Sequence, residues 1–105
     1  MDEDAVFQAL ADATRRRLLD RLYDESGLTL SQLCEGENTS RQAVSKHLAI
    51  LEEANLVAVR WKGREKLHFL NPVPISAIAD RWMSKFEHEQ ARALRELKAA
   101  LEKGR

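Results

Sequence analysis

Apolar residues recur along this chain in two rhythms, and the changes between them mark out its elements. Steps of three and four residues, which line up on one face of an α-helix, dominate both ends of the sequence. Leu18, Leu19, Leu22 and Tyr23 supply the buried face of a helix running through TRRRLLDRLYD. A shorter helix is expected before it, from Asp4 to Ala11, with Asp12 placed to cap the second one through its carboxylate. Ser26 and Gly27 close that second helix, and Leu28 to Leu30 is long enough only for an edge strand. Ser31 can cap a brief helix to Glu35 before Gly36, Glu37 and Asn38 break the pattern. In TSRQAVSKHL and the residues after it, Val44, Leu48 and Leu51 fall within about 60° of each other and make another buried stripe. Thr39, with Gln42 three residues on, has the form of a capping box, and Asn55 suits the left-handed position after a helix ending near Ala54.

A period of two replaces the helical rhythm in LVAVRWKGREKLHFL, where β-branched and aromatic residues flank Gly63. The segment is expected to form a hairpin. Placing Val57, Val59 and Trp61 on the same face as Leu67 and Phe69 requires a loop of odd length, such as Lys62-Gly63-Arg64. Arg60, Lys66 and His68 then share the other face. Asn71-Pro72-Val73-Pro74 propagates neither helix nor central strand and predicts a hinge. From Ile75 to about Lys103 there is no proline or glycine, and apolar residues return at helical steps over about 40 Å. The expected fold class is mainly α with a small β-hairpin. Residues 1–105 form a single domain on this plan, with a helix-turn-helix at about 31–54, a wing at about 57–70 and a long C-terminal dimerisation helix at about 74–103.

Composition narrows what such a chain can do. Its 105 residues suffice for one small core, and 44% hydrophobic with 32% charged residues describes an ordered protein. The acidic start MDEDAVF is unlike a secretory signal, and no apolar run approaches a membrane span, so a cytoplasmic location and no membrane partner are expected. One cysteine, Cys34, forms neither an intramolecular disulfide nor a multi-cysteine zinc site and is read as a small buried hydrophobe.

Net charge is zero, but it is unevenly spread. Residues 1–39 hold nine acids against four arginines, whereas residues 40–68 hold six bases against three acids. The face of the 39–54 helix opposite its core stripe carries Thr39, Gln42, Ser45, Lys46 and Ala49, with no carboxylate until Glu53. Such a face beside a basic hairpin suits double-stranded DNA. Gln42 and Ser45 are the candidates to meet base edges, and Arg41 to meet guanine or phosphate. Ser40 belongs to the same DNA-binding set, Lys46 would hold the backbone, His47 either joins it there or packs beside the apolar stripe, and Lys62 and Arg64 at the wing tip would reach phosphates or the minor groove. Arg15, Arg16, Arg17 and Arg21 read mainly as solvated surface with room for a phosphate role. The long last helix has more apolar face than so small a domain covers, so Ile78, Trp82, Met83, Phe86, Leu94 and Leu97 are expected to pair it with a second copy. A winged-helix module that binds protein instead of DNA is the alternative. Enzymatic chemistry finds no glycine-rich phosphate loop, and Ser45 and His47 point about 160° apart on one helix; no cofactor is expected.

ALADATRRRLLDRL, SRQAVSKHLAILEEANLV and VRWKGREKLHFL, in this order and spacing, resemble the ArsR/SmtB family of bacterial winged-helix repressors over nearly the whole chain. The resemblance implies a homodimer built from the first and last helices, with two recognition helices entering successive major grooves of a palindromic operator. It also exposes a departure. The thiolate positions of the arsenic- and lead-sensing branch align with Thr29, Ser31 and Cys34, of which only the last is a cysteine, and a hydroxyl replaces a soft thiolate poorly. The zinc-sensing branch pairs Asp-x-His with a later His-x-x-Glu. Here Trp82 follows Asp80 and Ala91 follows His88 at those spacings, so no metal is expected.

Overall fold

The computed structural model describes residues 2–104. Along them run α1 (Glu3–Leu10), α2 (Ala13–Asp24), α3 (Leu30–Glu35), α4 (Arg41–Glu53), β1 (Val57–Lys62), β2 (Glu65–Leu70) and α5 (Val73–Lys103). The mainly α class, with one small hairpin and a long last helix, is the one that the periodicities predict. The chain divides into two compact units, one ending at Ile75 and one beginning at Ser76.

Local chemistry sets where each helix of the first unit begins. Asp12 is extended and accepts the Arg15 amide at 3.1 Å, as the sequence suggests. The other two expected caps move. Thr29, not Ser31, caps α3: its hydroxyl accepts the Gln32 amide while the Gln32 side chain accepts the Thr29 amide at 2.8 Å. The capping box therefore belongs to α3. Ser40, not Thr39, caps α4, its extended backbone aiming Oγ at the Ala43 amide 3.1 Å away. Leu30 becomes helical as a result, and only Leu28 keeps a strand-like pairing, a single antiparallel bridge to His68. At the far end of α4, Asn55 takes φ 63° as expected. The Leu56 amide reaches Leu51 O at 2.9 Å and the Asn55 amide reaches Glu52 O at 3.0 Å, a Schellman closure that turns the chain into β1.

Val6, Leu18, Leu22, Leu33, Val44, Leu51 and Leu56 are fully enclosed, and each contributes roughly 1.5–3 kcal/mol by leaving water. They come from all four helices of the first unit and the loop after α4, so no helix can leave without opening the core. Tyr23, expected in this core, is 78% exposed. It lies about 100° round the helix from Leu22 and beyond Leu19, off the edge of the buried arc.

The hairpin has a different register from the one that hydrophobicity suggests. Lys62 pairs with Glu65, Trp61 with Lys66, Arg60 with Leu67 and Val59 with His68, which leaves a two-residue turn of Gly63 and Arg64. Gly63 has φ +62° and Arg64 does not share the left-handed region, the pattern of a type II′ turn. Val57, Val59 and Trp61 thus share a face with Lys66, His68 and Leu70, and not with Leu67 and Phe69. His68 decides the matter. It is 3% exposed, its Nδ1–H donates to Leu28 O at 2.8 Å, its amide donates to the same oxygen at 2.9 Å, and its carbonyl accepts the Gly27 amide. A histidine with its donors satisfied is tolerated inside. Burial fades toward the tip, from buried Val57 to Val59 at 38% and Trp61 at 64% exposure.

α5 begins two residues before Ile75, with Pro74 in its first turn, where a missing amide breaks no helical bond. Asn71 Oδ1 accepts the Val73 amide at 3.2 Å and its Nδ2 donates to Asn55 O at 2.8 Å, so the proline-bounded segment is a tethered helix start. The 31 residues of α5 span about 46 Å.

Candidate nucleic-acid interface

α3, the turn after it and α4 present one polar face. Gln42, Ser45 and Lys46 are exposed, and none of them has a hydrogen-bond or ion-pair partner among the described residues. Ala49 continues the same face one turn on. Arg41 is exposed but tethered, its guanidinium donating to Ser31 Oγ at 2.9 Å. Ser40 spends its acceptor on the α4 cap. His47 stands apart on the flank, half-buried, with Nδ1 3.2 Å from the Arg15 guanidinium.

Lys62 and Arg64 are exposed at the wing tip with Arg60 behind them, and all three lack a partner among the described residues. Lys66 is committed instead, ion-paired to Glu52 of α4 at 3.1 Å. That pair ties the wing to α4 across a groove of about 440 Å³, lined by Ser31, Arg41, Ser45, Glu52, Trp61 and His68 among others. Sequence reasoning missed this tie because it assigned Lys66 to the wrong face of the hairpin.

The arginines of α2 find acceptors within the fold. Arg15 donates to Ala9 O and Gln8 O, both at 2.8 Å, and Arg16 donates to Leu10 O at 2.6 Å. These are last-turn carbonyls of α1; Gln8 O also accepts the Ala11 amide at 3.2 Å, and the arginines supply the donors that the helix end lacks. Arg21 does the same for α3, donating to Leu33 O at 2.6 Å and Gln32 O at 2.9 Å, and Arg17 pairs with Glu37 at 3.1 Å. Gly36 makes room for this, since a Cβ there would stand 2.6 Å from the Arg21 guanidinium. Beside them, the hydrogen bond from the Arg15 amide holds the Asp12 carboxyl below its ordinary value.

In the second unit Trp82, Met83, Phe86, Leu94 and Leu97 are between 52% and 64% exposed, whereas Ile78 is already buried at 9%. Arg81 and Lys85 lie 5.3 and 4.7 Å from the Trp82 ring.

This geometry has known counterparts. A helix-turn-helix domain family model matches residues 10–60. The HTH-type transcriptional regulator YuzN of Bacillus subtilis is 38% identical over 88 residues, covering 78% of this chain and 96% of the relative. The arsenical resistance operon repressor of Escherichia coli is 32% identical over 90 residues, covering 82% of this chain and 77% of the relative. An ArsR-like transcriptional regulator from Rhodococcus sp. RHA1 superposes with a TM-score of 0.73 at 31% identity, over 94% of this chain and 89% of that one. The chain belongs to the ArsR/SmtB family of transcriptional regulators.

Within the ArsR/SmtB frame, the metal-ligand positions of α3 hold donors of the wrong kind. The Thr29 hydroxyl is occupied by Gln32 and the Ser31 hydroxyl by Arg41, and Cys34 is a lone, half-buried thiol. Two engaged neutral hydroxyls and one thiol do not make a soft-metal site. Cys34 is also less enclosed than the buried hydrophobe expected of it.

Proposed function

We propose that this ArsR/SmtB protein is a transcriptional repressor that binds double-stranded DNA as a homodimer, with α4 in the major groove and the wing on the flanking backbone. The observation that carries this proposal is the polar face of Gln42, Ser45 and Lys46 beside the wing cations Lys62 and Arg64, all five without a partner among the described residues. Gln42 and Ser45 read base edges; Arg41 supports from its Ser31 tether; Ser40, Lys46, His47, Lys62 and Arg64 hold the phosphate backbone. The exposed α5 stripe of Trp82, Met83, Phe86, Leu94 and Leu97 pairs the two copies, with Ile78 at its inner end. Two recognition helices related by a two-fold axis read half-sites about one helical turn apart.

Titrations on DNA from upstream of its own gene and on a scrambled duplex test the assignment. Gln42→Ala is expected to cost roughly 1–3 kcal/mol on the specific duplex only, at one base pair of each half-site. Equal losses on both duplexes would remove Gln42 as a base reader. Phe86→Glu is expected to yield monomers in sedimentation and to weaken operator binding. A Phe86→Glu protein that remained dimeric would refute the α5 pairing.

A further inference from the structure

Among the described residues, Arg15 is the α2 arginine with a hydrogen bond to α4. Its guanidinium is held by two α1 carbonyls, Gln8 O and Ala9 O, and turns its remaining edge to His47 Nδ1 at 3.2 Å. An arginine can only donate, so Nδ1 accepts and the ring carries its proton on Nε2. That second nitrogen has no partner among the described residues, and it is not sealed from solvent, since none of the buried side-chain nitrogens there lacks a partner. The half-buried ring therefore offers one oriented, uncharged N–H at the flank of α4, next to Lys46.

We infer that His47 donates this Nε2–H to a DNA phosphate oxygen, and that Arg15 is a positioning residue that fixes the tautomer and aim of the ring without touching DNA. The inference rests on the DNA-binding reading above and adds a kind of phosphate contact which charge alone does not reveal. A neutral donor releases no counterion, so it strengthens binding without steepening the salt dependence; a lysine on a phosphate contributes about 0.9 to the slope of log K against log salt. The α1 carbonyls matter because they hold the guanidinium at a fixed angle. Lysine, with one ammonium, cannot span Gln8, Ala9 and His47 together.

Duplex titrations over a range of salt, paired with nitrogen-15 NMR of the His47 ring at pH 7.5, test it. His47→Ala is expected to weaken specific and scrambled duplexes alike, by about tenfold, with an unchanged salt slope. His47→Gln, whose terminal amide lies where Nε2 did, is expected to recover most of that loss. Arg15→Lys should match His47→Ala in affinity, leave the slope unchanged, and add nothing when combined with it. Lys46→Ala, as the control, lowers the slope by about 0.9. The NMR spectrum of the wild-type chain should show the Nε2–H tautomer, lost to a mixture in Arg15→Lys. An Nδ1–H tautomer in the wild type, a slope lowered by Arg15→Lys, or full affinity in His47→Ala overturns the inference. A wild-type chain that binds neither duplex overturns the DNA-binding reading itself, which the other outcomes leave standing.

Discussion

Two groups of basic residues look interchangeable in the sequence: Arg15, Arg16, Arg17 and Arg21 in α2, and Arg41, Lys46, Arg60, Lys62 and Arg64 in α4 and the wing. In the folded chain they have opposite fates. The α2 arginines end on α1 and α3 carbonyls, on His47 and on Glu37. In the second group only Arg41 has a partner among the described residues, a neutral hydroxyl. Helix ends explain the difference. α1 and α3 are short, carry no basic residue in their own last turns, and leave carbonyls that a neighbouring helix must supply with donors. Basic residues next to such ends are used up by the fold, and those on an outward face or a hairpin tip remain for a ligand.

Substitution can exchange the two behaviours. Arg21→Ala should have the largest effect on the fold, a loss of about 2–3 kcal/mol in urea unfolding, because two carbonyls at the end of α3 lose charged donors. The salt slope of DNA binding by the folded fraction should not change, and a lowered slope would place Arg21 on phosphate. Arg64→Ala should do the reverse. Stability should stay within about 0.5 kcal/mol, while affinity falls several-fold on every duplex and the slope drops by about 0.9. Glu52→Gln should convert a committed cation into a free one by releasing Lys66. The partly exposed pair is worth at most about 1 kcal/mol, and the freed lysine should steepen the salt slope. An unchanged slope would mean that Lys66 faces away from DNA.

The smallest effect should come from acid. Asp12 titrates below its ordinary value in the folded chain, so its contribution to stability is present above the unfolded carboxyl pKa and fades as pH falls through the folded one. Asp12→Asn keeps the cap but removes the charge. The melting-temperature gap between the two proteins should therefore be open at neutral pH and closed in strong acid. A gap that widened in acid would contradict the direction of the shift.

Most of the fold was legible because helical and strand periods are written into the apolar residues themselves, from Leu18 and Leu22 to Val44, Leu48 and Leu51. Asp12 and Asn55 were legible as well, since each has one obvious place to act. The caps of α3 and α4 were not. Thr29 and Ser31, and likewise Thr39 and Ser40, are hydroxyl residues competing for one position, and only the backbone decides which oxygen meets an amide. The wing was misregistered by trusting hydrophobicity: Leu67 and Phe69 outrank His68 as core residues until Leu28 O and the Gly27 amide are there to satisfy the histidine. A glycine followed by one residue between paired strands was the available signal for a two-residue turn. The roles of the α2 arginines were illegible because their acceptors are backbone atoms of other helices, which no side-chain pattern records.

The bridge between Leu28 and His68 has a bearing on how the molecule assembles. Its partners are 40 positions apart, so closing that loop from an open chain costs about 3 kcal/mol of entropy. The segment between them is mostly α3, α4 and β1, and once these helices form, the two ends have far less space to search. Seating of the wing is therefore a late event, reached after the helices have condensed. Contacts made that late act mainly on unfolding. The histidine beneath the wing governs how long the folded chain persists more than how quickly it is reached.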